Sequence, residues 1–330
     1  MITKTLARSL MAVSVLALSA SASLAQTAVD FSSPWPENNF SAIAARKFAE
    51  AVNTATAGDV AVTVHQASEI GVTGSGSMSA VEEGVVQMAS YLLFLQAGDE
   101  PFLAIDTLPF LIRGQDEMKA FLEVAAPTYE EIAARNNQKI LYYVPWPSPG
   151  VYSRREITSV EDMKGARIRA FNPASFQFLS LMGAAPLEMP WGDVASALAA
   201  GTIDGVATST SSGVDGKLWD LTTHFSPMKW STSTDVVAIN LDTWNEISPE
   251  NQAKIEAIAK DMQSEFWALS AGEDAEKGAI LAENGLTITE ANEGLLALMG
   301  ESGRTMWDEF VARVPEAGPV IEAYTAKVGK

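Results

Sequence analysis

The chain reads as α/β, with mainly parallel sheet divided between two lobes. Three observations predict this. Short apolar strands alternate with helical stretches from Val29 to Tyr91 and again from Arg167 to Thr208, the pattern of parallel sheets with crossover helices. A length of 330 residues suits two domains better than one. Pro145-Trp146-Pro147-Ser148-Pro149-Gly150 is a stiff extended segment, and it marks a crossing from one lobe to the other. A return crossing is expected near Ser231 to Val237.

Each element has a local reason. Val29 to Ser32 is a first strand, followed by the Pro34-Trp35-Pro36 turn. Asn39 or Ser41 caps a helix running to about Thr54, and Gly58 stops it. Val60 to His65 alternates as a strand. Gly71 to Gly76 is glycine-rich but lacks the Gly-Lys-Ser/Thr ending of a phosphate loop. A short helix from Ser77 leads to the apolar strand Val85 to Tyr91. Glu117 to Asn136 is helical, with a break expected near Pro127, and Ile140 to Val144 is a strand.

The second lobe centres on Lys164 to Ser209. Arg167 to Phe171 is a strand. Asn172 caps the next helix, Pro173 takes its first position and Gly183 ends it. Leu187 to Pro190 is extended, Trp191 to Ala200 is helical, and Ile203 to Thr208 is a buried strand. Val236 to Leu241 is a strand after the return crossing. From Pro249 a helix runs to about Glu283 with Ile255, Ile258, Met262, Phe266 and Leu269 as its buried stripe. Leu295 to Val328 is helical, with breaks expected around Pro315 and Pro319. The division that follows is residues 1–25 as a signal peptide, 26–147 with about 236–275 as the first lobe, and 148–235 with about 276–330 as the second.

Composition narrows the function. Lys4, Arg8, the apolar run Leu10 to Leu18 and the small residues Ser23-Leu24-Ala25 form a cleavable export signal, so the mature chain starts at Gln26. The run is too short to span a bilayer. The net charge is −19, and losing Lys4 and Arg8 takes it to about −21. Nucleic acid and anionic membrane surfaces are therefore excluded as partners. There is no cysteine, which excludes disulfides, thiolate metal sites, a cysteine nucleophile and a lipid anchor on cysteine. His65 and His224 fit no metal-ligand spacing, and no Gly-x-Ser-x-Gly elbow is present. No metal, cofactor or catalytic group is expected, and the chain reads as a binding protein rather than an enzyme.

Arg169 stands inside a strand, just before a helix start. Ligands of open α/β sheets collect at the carboxyl ends of strands, beside helix N-termini. A guanidinium there can hold a carboxylate through two parallel hydrogen bonds. The plainer alternative is a structural ion pair. Trp35, Trp146, Phe171, Trp191 and Trp230 all fall at strand ends or loop starts. They suit the apolar walls of a ligand pocket, though a tryptophan there can also simply seal core under a loop. Tyr91, at a strand end, fits either role. Trp219, Trp244, Trp267 and Trp307 sit in helical patterns and read as core.

Gly165 to Arg169, Gly183 to Pro186, Met189-Pro190 and Leu198 to Gly205 occur in the order and spacing of a known family. With Ile70 to Ser77 and Leu108 to Met118, they make the chain resemble the DctP-like solute-binding subunits of tripartite ATP-independent periplasmic (TRAP) transporters. The resemblance implies a type II-like two-lobe periplasmic binding protein fold with two crossings and a long bracing helix. It implies a monomeric periplasmic receptor that captures a small organic acid and delivers it to TRAP membrane subunits. Arg169 then holds the ligand carboxylate, and Asn172, at the helix start that follows it, is a further candidate contact. The family asparagine after the Asp-Gly strand is replaced here by Thr208 or Ser209. A family arginine in the turn after the first crossing has no counterpart in the turn expected at Gly150 to Ser153, and Asn240 matches a common asparagine beyond the second crossing. A zwitterion or amine held by aromatic faces and by Glu100, Asp106, Asp215 or Asp235 is an alternative ligand. A binding subunit of an ATP-driven importer and a secreted enzyme on the same scaffold are alternative functions.

Overall fold

The computed structural model describes residues 26–330. The expected signal peptide, residues 1–25, lies outside the described residues. In chain order the first elements are β1 (Thr27–Ser32), α1 (Phe40–Ala55), β2 (Val60–His65), α2 (Ser77–Glu82), β3 (Met88–Leu92), α3 (Gly114–Arg135) and β4 (Gln138–Trp146). Next come β5 (Gly150–Ser153), α4 (Val160–Met163), β6 (Ile168–Ala170), α5 (Pro173–Leu181), β7 (Leu187–Glu188), α6 (Val194–Ala199), β8 (Gly205–Thr208), α7 (Thr210–Asp215) and β9 (His224–Ser226). The chain ends with β10 (Ser233–Asn240), α8 (Leu241–Glu246), α9 (Pro249–Glu283), β11 (Thr287–Ile288), α10 (Glu293–Arg313) and α11 (Ala317–Val328).

Two sheets result. The first has the order β2-β1-β3-β10-β4 and the second β11-β9-β5-β8-β6-β7. In the first, β2 and β3 run parallel to β1, while β10 is antiparallel to both β3 and β4. The chain leaves the first sheet at Trp146 and enters the second at Gly150, across Pro147 and Pro149. It returns between Ser226 and Ser233, slightly earlier than the sequence pattern places it.

The first sheet is covered on both faces. Phe31, Phe40, Phe48, Tyr142 and Trp146 pack under α1 and α9, while Phe102, Phe121, Tyr129 and Tyr324 pack under α3 and α11. In the second, Ile168, Phe178, Leu179 and Trp230 form a core with α5 and α10, and Tyr152, Val206 and Phe225 form one on the other face. Helix α9 spans 35 residues, about 50 Å. Its Ile255 and Phe266 sit in the first sheet's core, and its Leu281 in the second's, so one rigid rod braces both.

Four expectations need correction. Pro127 does not break α3. It removes one hydrogen bond, but the carbonyl it frees belongs to exposed Glu123, where water replaces the donor. Pro319 lies in the first turn of α11, where the missing N–H has no intrahelical partner to lose. Gly150 to Ser153 is a strand rather than a turn, paired antiparallel with β8 and β9. A Cβ on Gly150 would stand 2.4 Å from both the Phe225 ring and the Ser226 carbonyl, so only glycine fits there. Finally, the C-terminal stretch does not stay with the second sheet. Val320, Ile321 and Tyr324 of α11 are buried in the first sheet's core against α3, because their apolar stripe finds its partner there.

Candidate functional site

Arg169 is the centre of β6, between Val206 of β8 and Leu187 of β7. Its side chain is 6% exposed. Nε donates to the Met189 carbonyl at 3.1 Å and Nη1 to the Ala207 carbonyl at 3.3 Å. The guanidinium carbon lies 5.8 Å from the centre of the Trp191 ring. Among the described residues it forms no ion pair, in contrast to Arg167, which is bridged to Asp204. Burial pulls its pKa down to about 10, with the Glu188 charge opposing the shift. A buried cation held only by neutral carbonyls is costly. Two of its five donors are used, and an arriving anion would satisfy the rest.

The residues after β6 are fixed by a capping box. The Asn172 side chain accepts from Ser175 N–H at 2.8 Å, and the Ser175 hydroxyl accepts from Asn172 N–H at 3.1 Å. This frees Asn172 Nδ2 to reach across to Thr107 Oγ1 on the first sheet's side at 3.1 Å. Phe171 likewise meets Phe94, ring centres 5.4 Å apart. At the end of β8, Thr208 is nearly buried and Ser209 caps α7. Ser209 Oγ also accepts from Trp146 Nε1 at 3.1 Å. Trp146 packs between Trp35, at 4.4 Å, and Phe40, at 4.8 Å. Asn39, the cap of α1, donates through Nδ2 to Asp215 Oδ2 at 2.7 Å. Helix α7 is thus gripped at its N-cap by Trp146 and at its last residue by Asn39.

The structure therefore brings Arg169, Phe171, Asn172, Thr208, Ser209, Trp146 and Trp35 to the facing ends of the two sheets. Trp191 joins them from outside: it is 39% exposed, and it lies against Gly216, where a Cβ would come within 2.8 Å of its ring.

Three expected site residues are placed elsewhere. Trp230 is buried against Phe178 in the second sheet's core, ring centres 5.5 Å apart, with only its carbonyl used, by Phe110 N–H. Tyr91 is buried on the α3 side of the first sheet and donates to Gln138 at 2.9 Å. Asn240 caps α8 and donates to the Val81 carbonyl at 2.8 Å. It pairs with Gln138, while Trp146 pairs with Ser233 at the opposite end of the same ladder. The side-chain polar groups of Tyr91 and Asn240 are already satisfied by the fold.

The acidic candidates also separate. Glu100 is held by Arg135 and Asn136, and its pKa is lowered by them. Asp106 is fully buried among α3-side residues, and burial pushes its pKa up to about 7. Asp235 is fully buried on the α1 side, also raised to about 7 by burial. Asn39, Thr107, Phe94 and the serines around Asp235 carry no sequence signal for this site. Their convergence depends on pairings between distant segments. Among the described residues no group of three or more histidine, cysteine or acidic side chains is arranged to hold a metal, and no helix is long and apolar enough to cross a membrane.

Comparison with known proteins agrees with this architecture. The family model described as bacterial extracellular solute-binding protein, family 7 (DctP), matches residues 31–313. An extracytoplasmic solute receptor of Bordetella pertussis that binds pyroglutamic acid superposes with a TM-score of 0.86 at 24% identity, covering 90% of this chain and 99% of that one. A second such receptor from the same organism, also binding pyroglutamic acid, gives 0.84 at 26% identity, covering 91% and 99%. The 2,3-diketo-L-gulonate-binding periplasmic protein of Escherichia coli is 24% identical over 93% of this chain and 94% of its own length. The ectoine-binding periplasmic protein of Halomonas elongata is 24% identical over 79% and 78%.

Proposed function

Given that this chain belongs to the bacterial extracellular solute-binding proteins of family 7, we propose that it captures a small carboxylate between its two sheets and delivers it to the membrane subunits of a TRAP transporter. The observation that carries this reading is Arg169: a buried guanidinium, bonded only to the Met189 and Ala207 carbonyls, at the facing ends of the sheets. The solute carboxylate takes its open donors as a bidentate pair. Trp35, Trp146, Phe171 and Trp191 enclose the rest of the solute, while Thr208 and Ser209 offer hydroxyls beside it. The exported, acidic chain acts as a monomer in the periplasm, and the two crossings serve as the hinge. The division into lobes is part of the proposal: the first comprises the β2-β1-β3-β10-β4 sheet with α1, α2, α3, α9 and α11, and the second the other sheet with α5, α6, α7 and α10. Pyroglutamate, malonate, gulonate and glucuronate, bound by structurally similar receptors, are the first solutes to try.

A thermal-shift screen of these acids, followed by calorimetry, tests the reading. A solute that binds the folded form alone raises the midpoint by mass action. Carboxylates should raise it, and their primary amides should not. Amides binding as well as acids would refute the role given to Arg169.

A further inference from the structure

Strand register gathers a second polar group at the carboxyl end of the first sheet. Phe31 stands beside Met88 and Ser32 beside Ala89 in the parallel pair of β1 and β3. Ser33 and Ser90 are the residues that directly follow this last pair in their two segments. In the antiparallel pair of β3 and β10, Ser90 faces Val237 and Leu92 faces Asp235. Ser33 alternates with Phe31, which packs under α1, so it shares that face. Ser41, in the first turn of α1, donates to the Asp235 carboxylate, and Ser90 donates to the same oxygen at 2.8 Å.

Ser33, Ser90 and Asp235 are each 0% exposed. Among the described residues, Ser33 Oγ and Asp235 Oδ1 nevertheless have no hydrogen-bond partner. The groups acting on Asp235 are Ser41, Ser90 and Trp35, none of them a cation. A buried carboxylate oxygen with an open lone pair is expensive unless a donor meets it.

The position is as informative as the chemistry. Trp35 roofs this group, donating from Nε1 to Ser90 Oγ at 3.1 Å. The same indole packs on Trp146, which is bonded to Ser209 just beyond the Ala207 carbonyl that receives Arg169. A chain of contacts thus runs from the acceptor group on the first sheet, through this aromatic pair, to the end of β8, whose Ala207 carbonyl receives Arg169. Carboxyl ends of parallel strands are where α/β sheets take ligands.

We propose that the solute carries, besides its carboxylate, an N–H donor, an ammonium or a ring amide, and that Asp235 with Ser33 receives it. This rests on the reading that Arg169 holds the carboxylate. A zwitterion sets one opposite charge against each buried group, whereas a dicarboxylate sets its second anion against Asp235.

The test is calorimetry with matched pairs. L-proline is compared with cyclopentanecarboxylate, and L-pyroglutamate with its ring-oxygen analogue, 5-oxotetrahydrofuran-2-carboxylate. The N–H member should bind at least about tenfold tighter. Asp235→Leu should reduce that preference to about threefold or less while retaining the carboxylate requirement. Ser41 and Ser90 hydroxyls are 3.3 Å apart and can pair with each other in that variant. Asp235→Asn, which still accepts from both serines, should lose the proline preference too, and serves if the leucine variant does not fold. Equal binding within both wild-type pairs would overturn the inference and leave the carboxylate reading standing. Pyrrolidine binding as tightly as proline, with the preference lost in Asp235→Leu, would support Asp235 and overturn the carboxylate reading instead. A preference that survives in both variants would overturn the role of Asp235.

Discussion

Replacing Arg169 with alanine should separate affinity from stability. The guanidinium is 6% exposed and, among the described residues, forms no ion pair. Its pKa falls from 12.5 to about 10, a desolvation cost on the order of 3 kcal/mol to the folded, charged form. Alanine removes that cost. It also removes two hydrogen bonds to carbonyls and the packing of the stem, together worth about 2–3 kcal/mol. The two nearly cancel, so the melting midpoint of Arg169→Ala should stay within a few degrees of wild type. Binding behaves differently. Breaking a buried charge pair costs about 2–5 kcal/mol, or roughly 30- to 5,000-fold in Kd. Arg169→Lys keeps the charge but loses the fork and should also bind more weakly. Calorimetry with the best acid and thermal melts without it, on all three proteins, give both quantities. A large fall in midpoint with unchanged Kd would show that Arg169 is structural and refute the reasoning.

Three further outcomes are expected. Asn39→Ala and Asp215→Ala should each speed solute release, and their double-mutant cycle should show a coupling of about 0.5–3 kcal/mol; strictly additive effects would mean that the 2.7 Å contact does not hold the two sheets together. Asp106 is protonated in the folded chain up to about pH 7 but only to about pH 4 when unfolded. Between those values the fold binds the extra proton, so this residue costs stability as pH rises, reaching about 4 kcal/mol above pH 7. Melts of wild type and Asp106→Asn from pH 4 to 8 should diverge in the variant's favour as pH rises, and parallel curves would contradict it. Mass spectrometry of the periplasmic fraction should find a chain beginning near Gln26, and an intact Met1 would contradict export with cleavage.

Much of the local structure around Arg169 was legible in the sequence where local rules govern it. Arg169 in a strand and Asn172-Pro173 at a helix start follow from alternation and capping chemistry, and both stand as read. Strand-end position did not tell a tryptophan that reaches across to the other sheet from one sealed in a core. Trp146 ends a strand and Trp230 follows one, yet the first bonds across to Ser209 and the second is sealed against Phe178. The difference lies in which helix covers each ring, and that is decided by tertiary packing. The strands β5, β9 and β11 have four residues or fewer, too short for alternation to declare them. Ser33, Ser90 and Asp235 were unreadable as a group because three distant segments must pair in one register before they meet. The same holds for α11, whose stripe announced burial but not which sheet would provide it.

The central claim is that a solute carboxylate rests on Arg169. A crystal structure of the chain with its tightest-binding acid tests it most directly. The account predicts both carboxylate oxygens within about 3.2 Å of the Arg169 guanidinium, with Trp35, Trp146 and Phe171 around the remaining atoms. A carboxylate bound elsewhere, with the Arg169 donors still shared only between the Met189 and Ala207 carbonyls, would contradict it.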